Sequence, residues 1–153
     1  MPKYAEKTSV SLDQSLAEIR RTITRYGASK FGYIQEEDAV TIAFEMRDRR
    51  IRFVLPLPNP NSKEFTHTPS RGLQREPEQA LAAYEQAVKQ KFRALALAVK
   101  AKLESVDAGI ETFEEAFLAH IVMPDGVTVS EHVLPRIAQA YESGQVPQLL
   151  PGK

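Results

Sequence analysis

The stretch PEQALAAYEQAVKQKFRALALAVKAKLESV, residues 77–106, decides how this chain must fold. At about 100° per residue, Leu81, Tyr84, Val88, Phe92, Leu95, Val99, Leu103 and Val106 line one apolar stripe, the width expected of a helix that faces a core. Beside it Ala83, Ala87, Ala94, Ala98 and Ala101 make a strip of small side chains that would admit a second backbone at close range. The alanine strip has two candidate partners: a helix of the same chain, such as residues 113–122, or a second subunit. Lys89, Arg93 and Lys100 gather on the remaining side with Gln86, a positive strip that faces either water or an acidic partner. Pro77 sits where a helix tolerates proline, in its first turn, and Asp107-Ala108-Gly109 supplies the stop.

Upstream, Ser11-Leu12-Asp13-Gln14 has the form of a capping box. Leu12, Leu16, Ile19, Ile23 and Tyr26 follow at helical spacing until Gly27, which predicts a first helix over 12–26. Three segments then alternate with period two: Phe31 and Tyr33; Val40, Ile42, Phe44 and Met46; Ile51, Phe53 and Leu55. The links Gln35-Glu36-Glu37-Asp38 and Arg47-Asp48-Arg49 are short and polar without an Asn-Gly or Asp-Gly pair, and the pattern reads as an antiparallel meander. Pro56, Pro58, Pro60, Pro69 and Pro77 then forbid a strand and delay a helix, so residues 57–76 are expected to form a long proline-rich loop. Loops of that length in a compact domain are uncommon, which draws attention to Lys63, Phe65, His67, Arg71 and Arg75.

Downstream of the long helix, Thr112-Phe113-Glu114-Glu115 is a second capping box, with Phe117, Leu118 and Ile121 behind it. Pro124-Asp125-Gly126 reads as a turn and Val127-Thr128-Val129 as a brief extended piece. Ser130 is the expected N-cap of a last helix through Val133, Ile137 and Tyr141 to Gly144. Residues 145–153 hold too much proline for a helix and enough leucine to dock. The fold predicted is α+β: an N-terminal helix, a three-stranded antiparallel meander, then a long and two shorter helices covering one sheet face. All of it lies in a single domain, 1–153.

Composition narrows the chemistry. The chain has 153 residues, 42% apolar and 26% charged, and no cysteine, which excludes disulfides and thiolate chemistry. Residues 1–7 lack the apolar run of a signal peptide and no segment approaches a membrane span, so a soluble cytoplasmic protein without a membrane partner is expected. Twenty basic and twenty acidic residues cancel, so nucleic acid would have to be held by a local patch. Arg50 and Arg52 point opposite to Ile51 and Phe53. With Arg71 and Arg75 of the loop, and Lys89, Arg93 and Lys100 of the long helix, they form the candidate nucleic-acid-binding set. The plainer alternative is that Glu45, Glu36, Glu37 and Asp48 pair with the arginines across the strands. Aromatic side chains for base stacking are scarce, Phe65 being the one plausible candidate outside the core. Glu115 and His120 are five apart and off one helical face, and with His132, Asp125 and Glu131 they make a poor metal set; neither a metal nor another cofactor is expected. No Ser-His-Asp order, nucleophile elbow, phosphate loop or dinucleotide fingerprint occurs, and seven glycines leave little to build one, so no catalytic residue is assigned.

The segments Phe92-Arg93-Ala94-Leu95, Val99 to Glu104, Thr112 to Glu115, Phe117 to His120, Pro124-Asp125-Gly126 and Leu149-Leu150-Pro151-Gly152, with Arg50-Ile51-Arg52-Phe53 before Pro56, resemble a family of small uncharacterised proteins encoded in bacteriophage and prophage genomes. That resemblance covers nearly the whole chain. It implies a bacterial host cytoplasm and an accessory role, and it brings no catalytic residues. Three functions follow as expectations: a non-enzymatic accessory protein that binds nucleic acid through its local basic surface; a protein-interaction module, such as an inhibitor of a host or viral enzyme, presenting the proline loop and apolar tail; or, least favoured, an enzyme built on Glu115, His120 and His132. A homodimer is compatible with each.

Overall fold

The computed structural model describes the backbone over residues 3–152 and the side chains over residues 12–152. Its order is α1 (Lys3–Arg25), β1 (Lys30–Gln35), β2 (Ala39–Met46), β3 (Arg49–Pro56), α2 (Lys63–Thr66), α3 (Pro77–Asp107), α4 (Phe113–Phe117), a 3-10 turn (Leu118–His120) and α5 (Val129–Ser143). The α+β architecture is the one the periodicities predict. Helix α1 does not begin at the Ser11 capping box, however; it is already helical at Lys3, so Ser11 lies inside it, and that side chain falls outside the described ones. Gly27 ends α1 with φ 108°, where Ala28 N–H reaches back to the Ile23 carbonyl, a closure that favours the residue without a Cβ.

The strands pair antiparallel in the order β1-β2-β3, with Phe31 opposite Phe44 and Phe44 opposite Ile51. Arg47 and Asp48 turn the second hairpin at φ 50° and 61°, the left-handed pair a two-residue primed turn requires, here made without glycine. Because side chains alternate across a strand, Val40, Ile42, Phe44, Met46, Ile51 and Phe53 share one face and are buried there. They join Leu12, Leu16, Ile19 and Ile23 of α1, Tyr84, Val88, Phe92, Val99 and Leu103 of α3, and Phe113 and Phe117 of α4 in one continuous core. Phe117 meets Phe44 and Phe53 edge-on, centroids 6.0 and 6.4 Å apart, the arrangement aromatic quadrupoles favour. Tyr33, also on this side, is left partly exposed on edge strand β1.

Three local expectations are corrected. Residues 57–76 are not structureless: Asn61 N–H bonds the Asn59 side chain, the interval between Pro60 and Pro69 is free of proline, and α2 forms there before a bridge between His67 and Gln74. Phe65 of α2 is only 4% exposed and packs edge-on against Tyr84 at 5.4 Å, so it is core and not a free stacking surface. This loop approaches the first half of the alanine strip, where Ala87 and Ala94 line a groove with Pro56, Leu57 and Phe65, whereas Ala98 and Ala101 are exposed. Finally, Ile121 and Val122 do not prolong α4. Their β-branched backbones bridge Ile51 and Thr128, and Val122 N–H donates to the Arg50 carbonyl at 2.8 Å, adding a short edge to β3.

Candidate functional site

The sheet face turned away from the core carries Lys30, Gly32 and Ile34 of β1, Thr41, Ala43 and Glu45 of β2, and Arg50, Arg52 and Val54 of β3, as the register requires. Register also explains the charge pattern. Lys30, Glu45 and Arg50 stand directly opposite one another, and Glu45 holds both cations, Lys30 at 3.3 Å and Arg50 at 3.8 Å. Arg52 leans over the β3 edge, donating to Glu131 of α5 at 3.0 Å and to the Gly126 carbonyl at 3.1 Å, with 27% of its side chain exposed. Arg49 pairs with Glu114 at 3.3 Å. Of the four carboxylates expected to neutralise the arginines, Glu45 does so; Glu36, Glu37 and Asp48 form no ion pair among the described residues, and Glu131 and Glu114 come instead from elements far along the chain.

The other cations of the candidate set occupy separate places. Arg75 donates to the carbonyls of Glu64 at 3.4 Å and Phe65 at 3.1 Å and so fastens α2 to the strand-like end of the loop. Arg71 is exposed at the loop's turn. Lys89 and Arg93 line a shallow groove with Gln14, Ser15 and Glu18 of α1, and Lys100 pairs with Glu104 one helical turn on at 3.9 Å. The seven residues therefore lie on the open sheet face, in the proline loop and along α3, and the arginines on the sheet are largely engaged by carboxylates.

The histidines and their acidic neighbours likewise take separate partners. His120 stacks on Phe53 at 4.0 Å, and burial, with the Lys102 ammonium second, holds its imidazole below the ordinary value and so neutral near pH 7. His132 bonds Asp125 at 2.7 Å. The Val127 N–H and then this imidazole keep the Asp125 carboxyl below the usual carboxylate range. Glu115 completes the Thr112 capping box, bonding the Thr112 N–H at 3.0 Å. Among the described residues no three His, Asp or Glu side chains converge on a point that would hold a metal ion.

What the chain does present is an uncovered apolar surface at its C-terminal end. Helix α5 is capped by Thr128, not Ser130: the Thr128 hydroxyl accepts the Glu131 N–H at 3.2 Å. It ends at Gly144 with φ 74°, as the sequence predicts. Over its fifteen residues it buries no side chain. Val129, His132, Val133, Arg136 and Ala140 are half-sheltered on one side, where the tail runs back along the helix and Arg136 bonds the Gln148 carbonyl. Leu134 (61% exposed), Ile137 (40%), Ala138 and Tyr141 (89%) line the other side at spacings i, i+3, i+4 and i+7. Between the first turn of α5, the returning tail and the β2–β3 turn lies a groove of about 710 Å³, floored by Leu118, Ile121, Met123 and Leu150 and rimmed by Arg49 and Arg50. Leu118, Val146 and Leu149 add further exposed apolar area.

Sequence reading picked out Ile137 and Tyr141 but grouped them with Val133 and overlooked Leu134. The i, i+3, i+4, i+7 pattern of 134, 137, 138 and 141 was the available signal. No family model, curated protein or solved structure matches the chain. Among the described residues no helix is long and apolar enough to cross a membrane.

Proposed function

We propose that this chain is a non-enzymatic protein-interaction module whose binding element is the apolar face of α5, extended by the tail and the adjoining groove. The observation that carries the reading is a fifteen-residue helix with no buried side chain and with Leu134, Ile137 and Tyr141 exposed in one row. Helices that seat in a partner's groove use this spacing of anchors. Contiguous apolar surface rimmed by charge is the usual mark of a binding face, and aromatic anchors such as Tyr141 commonly dominate such interfaces. The nucleic-acid reading has less to support it. Phosphate binding needs several unneutralised cations on one surface, whereas Arg50, Arg52 and Lys100 pair with carboxylates and the Arg75 guanidinium is held by two backbone carbonyls.

The resemblance to phage-encoded proteins makes bacterial cell extract the place to look. A photo-crosslinking residue at position 141 should yield discrete protein adducts in that extract, and the same residue at Gln139, off the apolar row, should not. Leu134→Asp in the position-141 protein should abolish the adducts. Absence of adducts at position 141, together with salt-sensitive binding of duplex or single-stranded DNA, would replace this reading with the nucleic-acid one.

A further inference from the structure

We propose that β1 is an interface strand whose occupant is β1 of a second copy, the two pairing antiparallel about a two-fold axis into one continuous sheet. The two edges of the sheet are finished differently. At the β3 edge Val122 N–H takes the Arg50 carbonyl, the His120 ring takes that of Arg52, and α5 is fastened alongside through Glu131. At the β1 edge nothing among the described residues does the same. Glu36 N–H donates to the Ala39 carbonyl at 2.8 Å, which makes these two a hydrogen-bonded pair. By the alternation of an antiparallel ladder, Lys30, Gly32 and Ile34 then bond β2, and the N–H and C=O groups of Phe31, Tyr33 and Gln35 point away from it. Every residue of β1 except Phe31 is exposed, and neither proline nor an inward-pointing charge blunts the strand. Alternating donors and acceptors at strand spacing are complementary to another extended backbone.

Charge selects which extended backbone. The two ends of β1 carry opposite signs: Arg25 closes α1, with Arg20 and Arg21 in the same open groove, and Lys30 begins the strand, whereas Glu36-Glu37-Asp38 turns out of it. Among the described residues Arg20, Arg21, Arg25, Glu36, Glu37 and Asp38 form no ion pair. Lys30 has Glu45 at 3.3 Å, but Glu45 is shared with Arg50 and the Lys30 side chain stays 72% exposed. An antiparallel copy lays each acidic turn along the other's basic end; a parallel one would set like charges side by side. One register pairs every outward group, Phe31 with the partner's Gln35 and Tyr33 with the partner's Tyr33 on the axis. That same register sets Lys30 directly opposite the partner's Glu36, on the outer face, in a non-hydrogen-bonded pair where side chains stand closest, and symmetry makes the contact twice. Tyr33, 45% exposed at the margin of the core face, is then covered by its symmetry mate. Because β1 and α5 lie at opposite edges of the sheet, this pairing leaves the α5 face free.

The test is sedimentation equilibrium of the full chain over a wide concentration range, in which wild type should pass from monomer to dimer. Lys30→Glu and Glu36→Lys should each weaken self-association by about tenfold, since each turns two attractive cross-strand pairs into repulsive ones. Mixed together, the two variants should associate as wild type does, because the mixed pair restores opposite charges at both contacts. That recovery separates the contact between copies from the loss of Glu45's partner within one chain. Gln35→Pro removes an outward N–H and leaves the β1–β2 ladder intact, so it should be monomeric with its melting temperature in dilute solution little changed. The chain has no cysteine, so Tyr33→Cys should give a disulfide-linked dimer on mild oxidation, and Val54→Cys, exposed on the outer face of β3, should not. A strictly monomeric wild type, or a dimer that shows neither recovery on mixing nor the cross-link at position 33, would overturn the proposal. So would a monomer whose position 33, given a photo-crosslinking residue, captures a different protein in bacterial cell extract.

Discussion

Helices α3 and α5 are both amphipathic, both carry large apolar side chains along one side, and differ in what becomes of them. Helix α3 buries Tyr84, Val88, Phe92, Val99 and Leu103 against α1 and the sheet; α5 only half-shelters one side, with Val129 touching the core, and leaves Leu134, Ile137 and Tyr141 in contact with solvent. An apolar stripe states that a helix needs a cover, not that its own chain provides one. In α3 the cover is internal and the stripe contributes stability. In α5 the described residues cover one side only, and the stripe is left as surface.

The contrast is broken most directly in α3. Phe92 is 1% exposed at the centre of the core, so Phe92→Ala should cost about 3–5 kcal/mol, from lost burial and from the cavity that remains. Urea unfolding reads this as a large fall in midpoint. A loss below about 1 kcal/mol would mean that α3 is not the helix on which the core is built.

Arg52 tests the junction between the two regions. It is the sheet residue that grips the start of α5, through Glu131 and the Gly126 carbonyl. Arg52→Leu removes both charge-assisted bonds and should cost about 1–2 kcal/mol. Hydrogen exchange should place that loss in α5, with faster exchange there and little change in α3 or β2. Equal acceleration across all three would show that α5 belongs to the core's cooperative unit, and the distinction between the helices would lapse.

The sequence made the core legible because the core is made of regular elements. The 3.6-residue period of α3 and the two-residue alternation of Val40 to Met46 each require a single buried side, and together they nearly determine the α+β arrangement. It was least legible where tertiary partners decide. The prolines of residues 57–76 concealed α2, which exists because Phe65 finds Tyr84. Ser130 is the N-cap the sequence suggests, yet Thr128 takes that role, with Glu131 three residues on at the spacing of a capping pair. Arg50 and Arg52 of β3 were correctly placed on the outer face, but Glu131, which engages Arg52, and Glu114, which engages Arg49 at the turn, lie more than sixty residues away and no local pattern announces them. Exposure of the α5 stripe was illegible for the same reason: it depends on what the rest of the chain fails to cover.

The smallest expected effect is the most discriminating. Leu134→Ser and Tyr141→Ser remove large apolar side chains from a helix, changes that in α3 would be severely destabilising. At 61% and 89% exposure in the monomer, each should shift the stability of dilute protein by less than about 0.5 kcal/mol. Serine is a somewhat poorer helix former than leucine, which accounts for most of whatever is lost. If instead either variant loses several kcal/mol in dilute solution, α5 is covered from within the chain, and its apolar row belongs to the core as that of α3 does.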